Sequence, residues 1–381
     1  MIYLDNAAST KPFREVQEIM CYAMENIYAN PSALHKQGFL AANILKESSI
    51  FFANQLGCSK DEIIYTSGGT ESNNLAILGA VNAYKRNGNK IITSVIEHSS
   101  VKEVFNYLEQ QGFEVIRLKT DLDGCVNLEE LEHNLDDKTI FVSIMHVNNE
   151  IGTVQPIEKI AELIKHKNKN TIFHVDAVQS FGKILFPIKN IDLISISGHK
   201  MYGPKGVGIL YKNKNTRIVS LLHGGGQQKN IRSGTENVYS IVGMHKAGEI
   251  VFANLNKYLE HYQKCKNYLW KNIEQNISDI KFNGASNGAP HILNISFKNI
   301  RSEVLMNVLE QNDIYVSPGS ACLVHKKNKN ILSFIGASEE YVNSALRFSF
   351  SHDTDIKDLD KVVDVLIKEI PKLRRVTNGG K

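Results

Sequence analysis

EIIYTSGGTESNNLAILGAVNAYKR, residues 62–86, runs from a short apolar stretch through a Gly-Gly turn into a longer amphipathic one. Residues 62–66, β-branched or aromatic after Glu62, read as a strand; residues 72–86 read as a helix. The alternation recurs downstream. KIITSVI (90–96), FEVIRL (113–118), TIFVSIMHV (139–147), TIFHVDA (171–177), DLISIS (192–197) and GVGILY (206–211) read as further strands, and IEKIAELIKHK (157–167) as a helix between two of them. Alternating strand and helix signals predict an α/β fold with a mostly parallel, seven-stranded sheet. Ligands of such sheets bind at the carboxyl ends of the strands, so the polar residues there are the functional candidates.

Beyond about residue 253 the character shifts. LNKYLEHYQKCKNYLWKNIEQN (255–276) reads as a long charged helix, HILNISF (291–297) and RFSFS (347–351) as strands, and a last amphipathic helix follows. The expected division is a large domain at 15–254 and a smaller α+β domain at 1–14 and 255–381.

The 381 residues are 42% hydrophobic and 22% charged, as in globular proteins, and the net charge of +4 is too small to argue for nucleic acid. The cysteines at 21, 58, 125, 265 and 322 are scattered and form no CxxC pair, which argues against zinc-ribbon, thioredoxin-like and disulfide-framework readings. MIYLDNAAST (1–10) lacks a basic-then-apolar signal pattern, and no apolar run is long enough for a bilayer. The expectation is a reduced, cytoplasmic protein without a membrane segment.

Chemistry concentrates at strand ends. In SGHKMYGPKGVG (197–208), Lys200 follows a strand; it fits a solvated loop lysine or a Schiff-base lysine, while the Walker pattern GxxxxGK[ST] is absent. In FHVDAVQ (173–179), Asp176 ends a strand, where it can cap a helix or pair with a cation. A lysine for an aldehyde and an acid for a ring nitrogen are the two groups that pyridoxal 5'-phosphate (PLP) requires. Gln179 stands three residues on, within reach of the ring oxygen. TSGGTESNN (66–74) offers a phosphate cradle: Gly68 and Gly69 admit an anion to the backbone, Thr70 adds a hydroxyl, and a helix begins there. Ser197 and His199 flank the lysine and can also reach the phosphate. His98, in IEHSS, is a structural histidine or one that stacks on the ring and moves protons. Asn148, in VNNE, ends another strand. HGGGQQKNIRSGTEN (223–237), with Arg232, Ser233 and Thr235, is a surface loop or a binding one. Arg347, in ALRFSFS, suits a substrate carboxylate or a structural ion pair.

One thiol stands apart. SPGSACLVHKKNKN (317–330) sets Cys322 between a Pro-Gly-Ser turn and three lysines, an odd place for a core cysteine.

Together YLDNAAST, NPSALH, TSGGTESNN, EHSSV, NNEIG, FHVDAVQSFGK, SGHKMYGPKGVG, RSGTEN, GSAC and LRFS run in order from residue 3 to residue 349. In this the chain resembles the cysteine desulfurases of the long-loop type, PLP enzymes of fold-type I in the class V aminotransferase group. The resemblance implies a homodimer that converts L-cysteine to L-alanine. It implies that Lys200 carries PLP, that Asp176 and Gln179 hold the ring, and that Gly69, Thr70, Ser197 and His199 hold the phosphate, with Thr235 reaching in from the other subunit. His98 would stack on the ring, Asn148 and Arg347 would take the substrate carboxylate, and no metal is implied. Cys322, on a mobile loop at about 317–335, would take the sulfur as a persulfide. The acceptor beyond it would be an iron–sulfur scaffold, a tRNA-thiolation enzyme or a DNA phosphorothioation component. Leu323, Val324, His325 and Lys326 depart from the small residues usual after that cysteine, and QQKN (227–230) from the usual acidic-basic run. The competing readings are a selenocysteine lyase or PLP aminotransferase, and a non-catalytic scaffold.

Overall fold

The computed structural model describes residues 1–186, 188–319 and 330–378. Its central sheet has seven strands: β2 (Ile63–Thr66), β3 (Lys90–Ser94), β4 (Glu114–Leu118), β5 (Thr139–Met145), β6 (Ile172–Asp176), β7 (Leu193–Ser197) and β8 (Gly208–Lys212). Their order is β2-β8-β7-β6-β5-β3-β4. Only β8 runs antiparallel to its neighbours, so the expected mostly parallel α/β sheet is what forms. Every residue of β5, β6 and β7 is buried, as strands covered on both faces require.

The covering helices follow from spacing. In the helix Ile157–Lys167 the buried residues are Ile157, Ile160, Ala161 and Ile164, one stripe of a 3.6-residue period, and Lys165, His166 and Lys167 end it at the negative pole of its dipole. The helices Arg14–Asn26 and Lys36–Leu56 fall in a stretch the sequence reading left blank.

Six further strands lie outside this sheet among the described residues. A four-stranded sheet joins β9 (Ile280–Asn283), β10 (Ile292–Phe297), β12 (Ser317–Pro318) and β13 (Ala345–Ser349) in the order β12-β13-β10-β9. β1 (Ile2–Tyr3) pairs in parallel with β11 (Ile314–Tyr315). One apolar cluster carries Leu4 and Phe13 beside Leu269, Leu309, Phe348 and Leu366, so the N-terminus packs with residues more than 250 positions away.

Two predicted strands change length or place. The strand read to Val147 stops at Met145, because Val147 bridges to Val154 and the chain reverses between them. The strand read at 347–351 occupies 345–349, where it pairs with β10 and Ser349 donates its N–H to the Leu4 carbonyl.

Two details of the core bear on the site. Gly208 lies so close to the Gly-Gly turn that an added Cβ would stand 2.7 Å from the Gly68 Cα and 2.7 Å from the Ile196 carbonyl oxygen. Lys183, on the turn after β6, is 1% exposed and its Nζ finds no hydrogen-bond partner among the described residues. Burial first, then the neighbouring Lys200 and Arg347, push it down to about 7.

Two outcomes are expected. Gly208→Ala must displace the Gly68 backbone; it should destabilise by about 1–3 kcal/mol in urea unfolding and weaken PLP retention through dialysis. Lys183 has a folded pKa below its unfolded one, so the unfolded chain binds the extra proton between about pH 7 and 10.5 and stability rises with pH across that window. Lys183→Met should flatten that rise and stabilise the protein at pH 7 by about 1–4 kcal/mol, read from unfolding curves at several pH values.

Candidate active site

The carboxyl ends of β2, β5, β6 and β7 meet the N-terminal segment and β13 around a cavity of about 340 Å³. Its lining includes Gly69, Thr70, His98, Asp176, Gln179, Ser197, His199, Lys200 and Arg347. Nine residues singled out from the sequence are thus brought together.

Lys200 ends the short turn Gly198–Lys200 that follows β7. Its Nζ donates to the carbonyls of Ala7 and Ala8, each at 2.7 Å. Burial and the Arg347 charge push its pKa down to about 8, against the smaller upward pull of Asp5 and Asp176. About a tenth of such an amine is unprotonated at pH 7, against fewer than about one in a thousand for an ordinary lysine. Two residues on, Tyr202 adopts a left-handed φ of 62°; its N–H donates to Thr10 Oγ1, and its hydroxyl lies 2.8 Å from that of Tyr262.

Asp176, 5% exposed, ends β6. Oδ2 accepts from Asn73 Nδ2 at 2.8 Å and Oδ1 from the Val178 N–H at 2.9 Å. No helix starts between β6 and β7 among the described residues, so the bond to Val178 closes a turn instead of capping a helix, and Asp176 lines the cavity. Asn73 also donates to Ser100 Oγ at 2.8 Å, and Ser100 Oγ lies 2.8 Å from His98 Nδ1. His98 Nδ1 accepts the Ser100 N–H at 3.1 Å and so caps the helix Ser99–Gln110. That bond puts the ring proton of neutral His98 on Nε2. Burial holds its pKa below the usual histidine value.

The cradle lies beside Lys200. The helix Gly69–Tyr84 begins after Gly68, at φ 149°, with no side chain capping it. Its first N–H groups therefore have no side-chain acceptor, and Gly69 and Thr70 line the cavity. A Cβ at Gly69 would meet Val178 Cγ2 at 2.7 Å. Among the described residues Ser197 Oγ is buried without a hydrogen-bond partner, as is Gln179 Oε1, while Gln179 Nε2 donates to the Ala7 carbonyl at 2.7 Å. His199 Nδ1 lies 3.2 Å from Ser9 Oγ, and burial and Lys200 push its pKa down to about 4. An uncapped helix start, an unpartnered hydroxyl, a buried carboxylate and an amine fit the phosphate, ring and aldehyde of PLP.

Asn148 does not meet its expectation. Its Nδ2 donates to the Ile96 carbonyl and its Oδ1 accepts the N–H groups of Glu150 and Ile151, so both ends of the amide are spent on the 147–154 reversal. Asn149 lines the cavity instead, with Oδ1 buried and unpartnered. The strand stops before either asparagine, so alternation could not choose between them. Arg347 donates from Nη2 to Asp5 Oδ1 at 2.7 Å and from Nη1 to the Asn149 carbonyl at 2.8 Å. Arg347 makes the structural ion pair, and it also lines the cavity. Asn73 and Asp5 lay inside quoted motifs, but their partners are over 100 positions distant and no spacing reveals them. Thr235 is exposed and is not among the lining residues. Arg232 instead pins its loop, pairing with Glu71 at 2.7 Å. Cys322 lies outside the described residues, as do His325, Lys326, Lys327 and Lys329.

Among the described residues no helix is long and apolar enough to cross a membrane. The family model Aminotransferase class-V matches residues 2–362. A cysteine desulfurase IscS of Dictyoglomus turgidum is 40% identical over 380 residues, covering 99% of this chain and 96% of that protein. A solved NifS-like protein superposes with a TM-score of 0.92 at 36% identity, covering 97% of this chain and 99% of the other. SspA, solved in complex with cysteine, superposes with a TM-score of 0.81 at 34% identity over 92% of this chain and 99% of its own. The chain belongs to the class V aminotransferases and, among them, to the PLP-dependent cysteine desulfurases.

Proposed function

We propose that the cavity around Lys200 takes L-cysteine and that its sulfur leaves by way of Cys322. The observation that carries this reading is the placing of a depressed-pKa lysine, a buried aspartate and a cavity-facing arginine in one enclosure. PLP, when bound, supplies the aldehyde that engages an amine and the ring that withdraws electrons from the substrate's α-carbon. Lys200 would be its attachment point; Asp176 would pair with the ring nitrogen and Gln179 with the ring oxygen, Gly69, Thr70, Ser197 and His199 would hold the phosphate, and His98 would stack on the ring.

The chain's own groups then divide the work. Arg347, with Asn149 at its side, orients the substrate by its carboxylate. Lys200, released as a free amine, takes the α-proton, which its lowered pKa favours near neutral pH. Cys322, as a thiolate, attacks the substrate sulfur; the S–S bond forms as the C–S bond breaks with its electron pair left on carbon, and the carbon fragment gains one proton at Cβ and takes one back at Cα from Lys200 to leave as L-alanine. His98 Nε2–H is placed to exchange protons within the cavity.

The reading extends to a homodimer. Thr235 is exposed and outside its own cavity, and Tyr22, Tyr28, Leu34 and Phe39 present exposed apolar surface. It also assigns 15–254 to a large domain and 1–14 with 255–381 to a small one. The expected loop at about 317–335 is narrower, since Ser317–Pro318 form β12 and Ile331–Phe334 a helix; sulfur passes on from the segment between them that bears Cys322 to an acceptor protein in the cytoplasm, in iron–sulfur assembly, tRNA thiolation or DNA phosphorothioation. The lysines of that loop suit an acidic acceptor surface.

Cys322→Ala should keep the yellow absorption of lysine-bound PLP and lose sulfide release from L-cysteine with a thiol reductant; full sulfide release would move the nucleophile elsewhere. Lys200→Ala should lose both the absorption and turnover, and an unchanged spectrum would remove Lys200 from its role.

A further inference from the structure

Arg347 lines the cavity, and one of the two groups that hold its guanidinium, Asp5, stands outside the lining. Five N–H donors are available to an arginine. One on Nη2 goes to Asp5 Oδ1 at 2.7 Å and one on Nη1 to the Asn149 carbonyl at 2.8 Å, while Nε has no hydrogen-bond partner among the described residues. Asp5 is itself fixed. The same Oδ1 accepts the Ser317 hydroxyl at 2.7 Å, and Ser317 stands directly opposite Arg347 in the pairing of β12 with β13. The Asp5 backbone bridges to Ser349, and the next residue, Asn6, donates from Nδ2 to the Ser349 carbonyl at 2.9 Å. One carboxylate oxygen thus ties the N-terminal segment, the strand that bears Arg347 and the strand beside it.

We propose that Asp5 is a positioning residue for the substrate carboxylate: it fixes the Arg347 fork so that the unused N–H groups meet a ligand in the cavity. The proposal rests on the reading that Arg347 takes that carboxylate. Two effects of Asp5 oppose each other. Its negative charge repels an incoming carboxylate, and its hydrogen bond holds the guanidinium in one orientation. The arginine side chain is 8% exposed and the aspartate 20%, so water screens the aspartate's field while the fork stays enclosed. Without Asp5, a nearly buried guanidinium keeps only the neutral Asn149 carbonyl, and its long side chain turns to find another acceptor. Positioning therefore outweighs repulsion.

The test uses PLP-loaded protein and two probes. 3-Mercaptopropionate has the carboxylate and thiol of cysteine but no amine, and its binding is measured by calorimetry; L-cysteine turnover gives KM and kcat. Asp5→Ala should weaken 3-mercaptopropionate about tenfold or more, the worth of a charge-assisted hydrogen bond, and raise KM by a similar factor with kcat within about threefold. Asp5→Asn, which keeps an acceptor and the fold, and Ser317→Ala, which frees the carboxylate to rotate, should each weaken binding by about two- to fivefold. Tighter or unchanged binding in Asp5→Ala overturns the proposal, as does a loss confined to kcat. Should Asp5→Ala not fold, unchanged binding in both Asp5→Asn and Ser317→Ala overturns it. Arg347→Met separates the two levels: if it leaves 3-mercaptopropionate binding intact, the carboxylate role of Arg347 is wrong, and if it abolishes binding while the Asp5 variants do not change it, only the role of Asp5 is wrong.

Discussion

The carbonyls of Ala7 and Ala8 both accept from Lys200 Nζ, and the site depends on how residues 4–10 come to lie there. This segment is bound along its whole length. Leu4 accepts from Ser349, Asp5 grips Arg347 and Ser317, and the Ala7 N–H donates to Ser349 Oγ. The Ala7 carbonyl also accepts from Gln179, Ser9 meets His199, and Thr10 binds the backbone on both sides of Lys200. Seven residues thus connect the end of β7, the turn after β6, and β12 with β13. The backbone has little choice: buried N–H and C=O groups need partners, and here the partners are the groups that do chemistry. A shift of this segment would move the lysine, the arginine and the ring-facing glutamine together.

Electrostatics in the enclosure run one way. Burial and the neighbouring basic groups lower the affinity of Lys183, Lys200 and His199 for protons, and the Arg347 side chain lies among them. Asp176 and Asp5 are the carboxylates that face this group. Glu97, one residue before His98, is pushed up to about 8 by burial and so stays a neutral acid, hydrogen-bonded to Ser94 and to the Met145 N–H. An enclosure with more basic than acidic groups favours an anionic cofactor and a substrate that enters by its carboxylate. The same desolvation that lowers the stability of the protein makes the Lys200 amine available near neutral pH.

The sheet was legible because its central strands β5, β6 and β7 are buried on both faces and helices such as Ile157–Lys167 carry a single apolar stripe, so period and length sufficed. The helices 255–276 and 157–167 begin and end where the sequence reading placed them. Lys200, Asp176 and the Gly-Gly turn were legible for a related reason: each is a polar or flexible residue where an apolar run stops. What escaped was set by distance along the chain. Asp5 meets Arg347 across 342 positions, and Asn73 meets Asp176 across 103. The choice of Asn149 over Asn148 depends on a reversal that spends one amide on the backbone and leaves the other facing the cavity.

The central claim is that this enclosure splits cysteine at its C–S bond. The most direct measurement is the product balance of the purified, PLP-loaded protein given L-cysteine and a thiol reductant, with alanine and sulfide quantified in the same sample. The account predicts equal molar yields of L-alanine and sulfide over many turnovers. Alanine without sulfide, or a keto acid with amine passed to the cofactor, would contradict it.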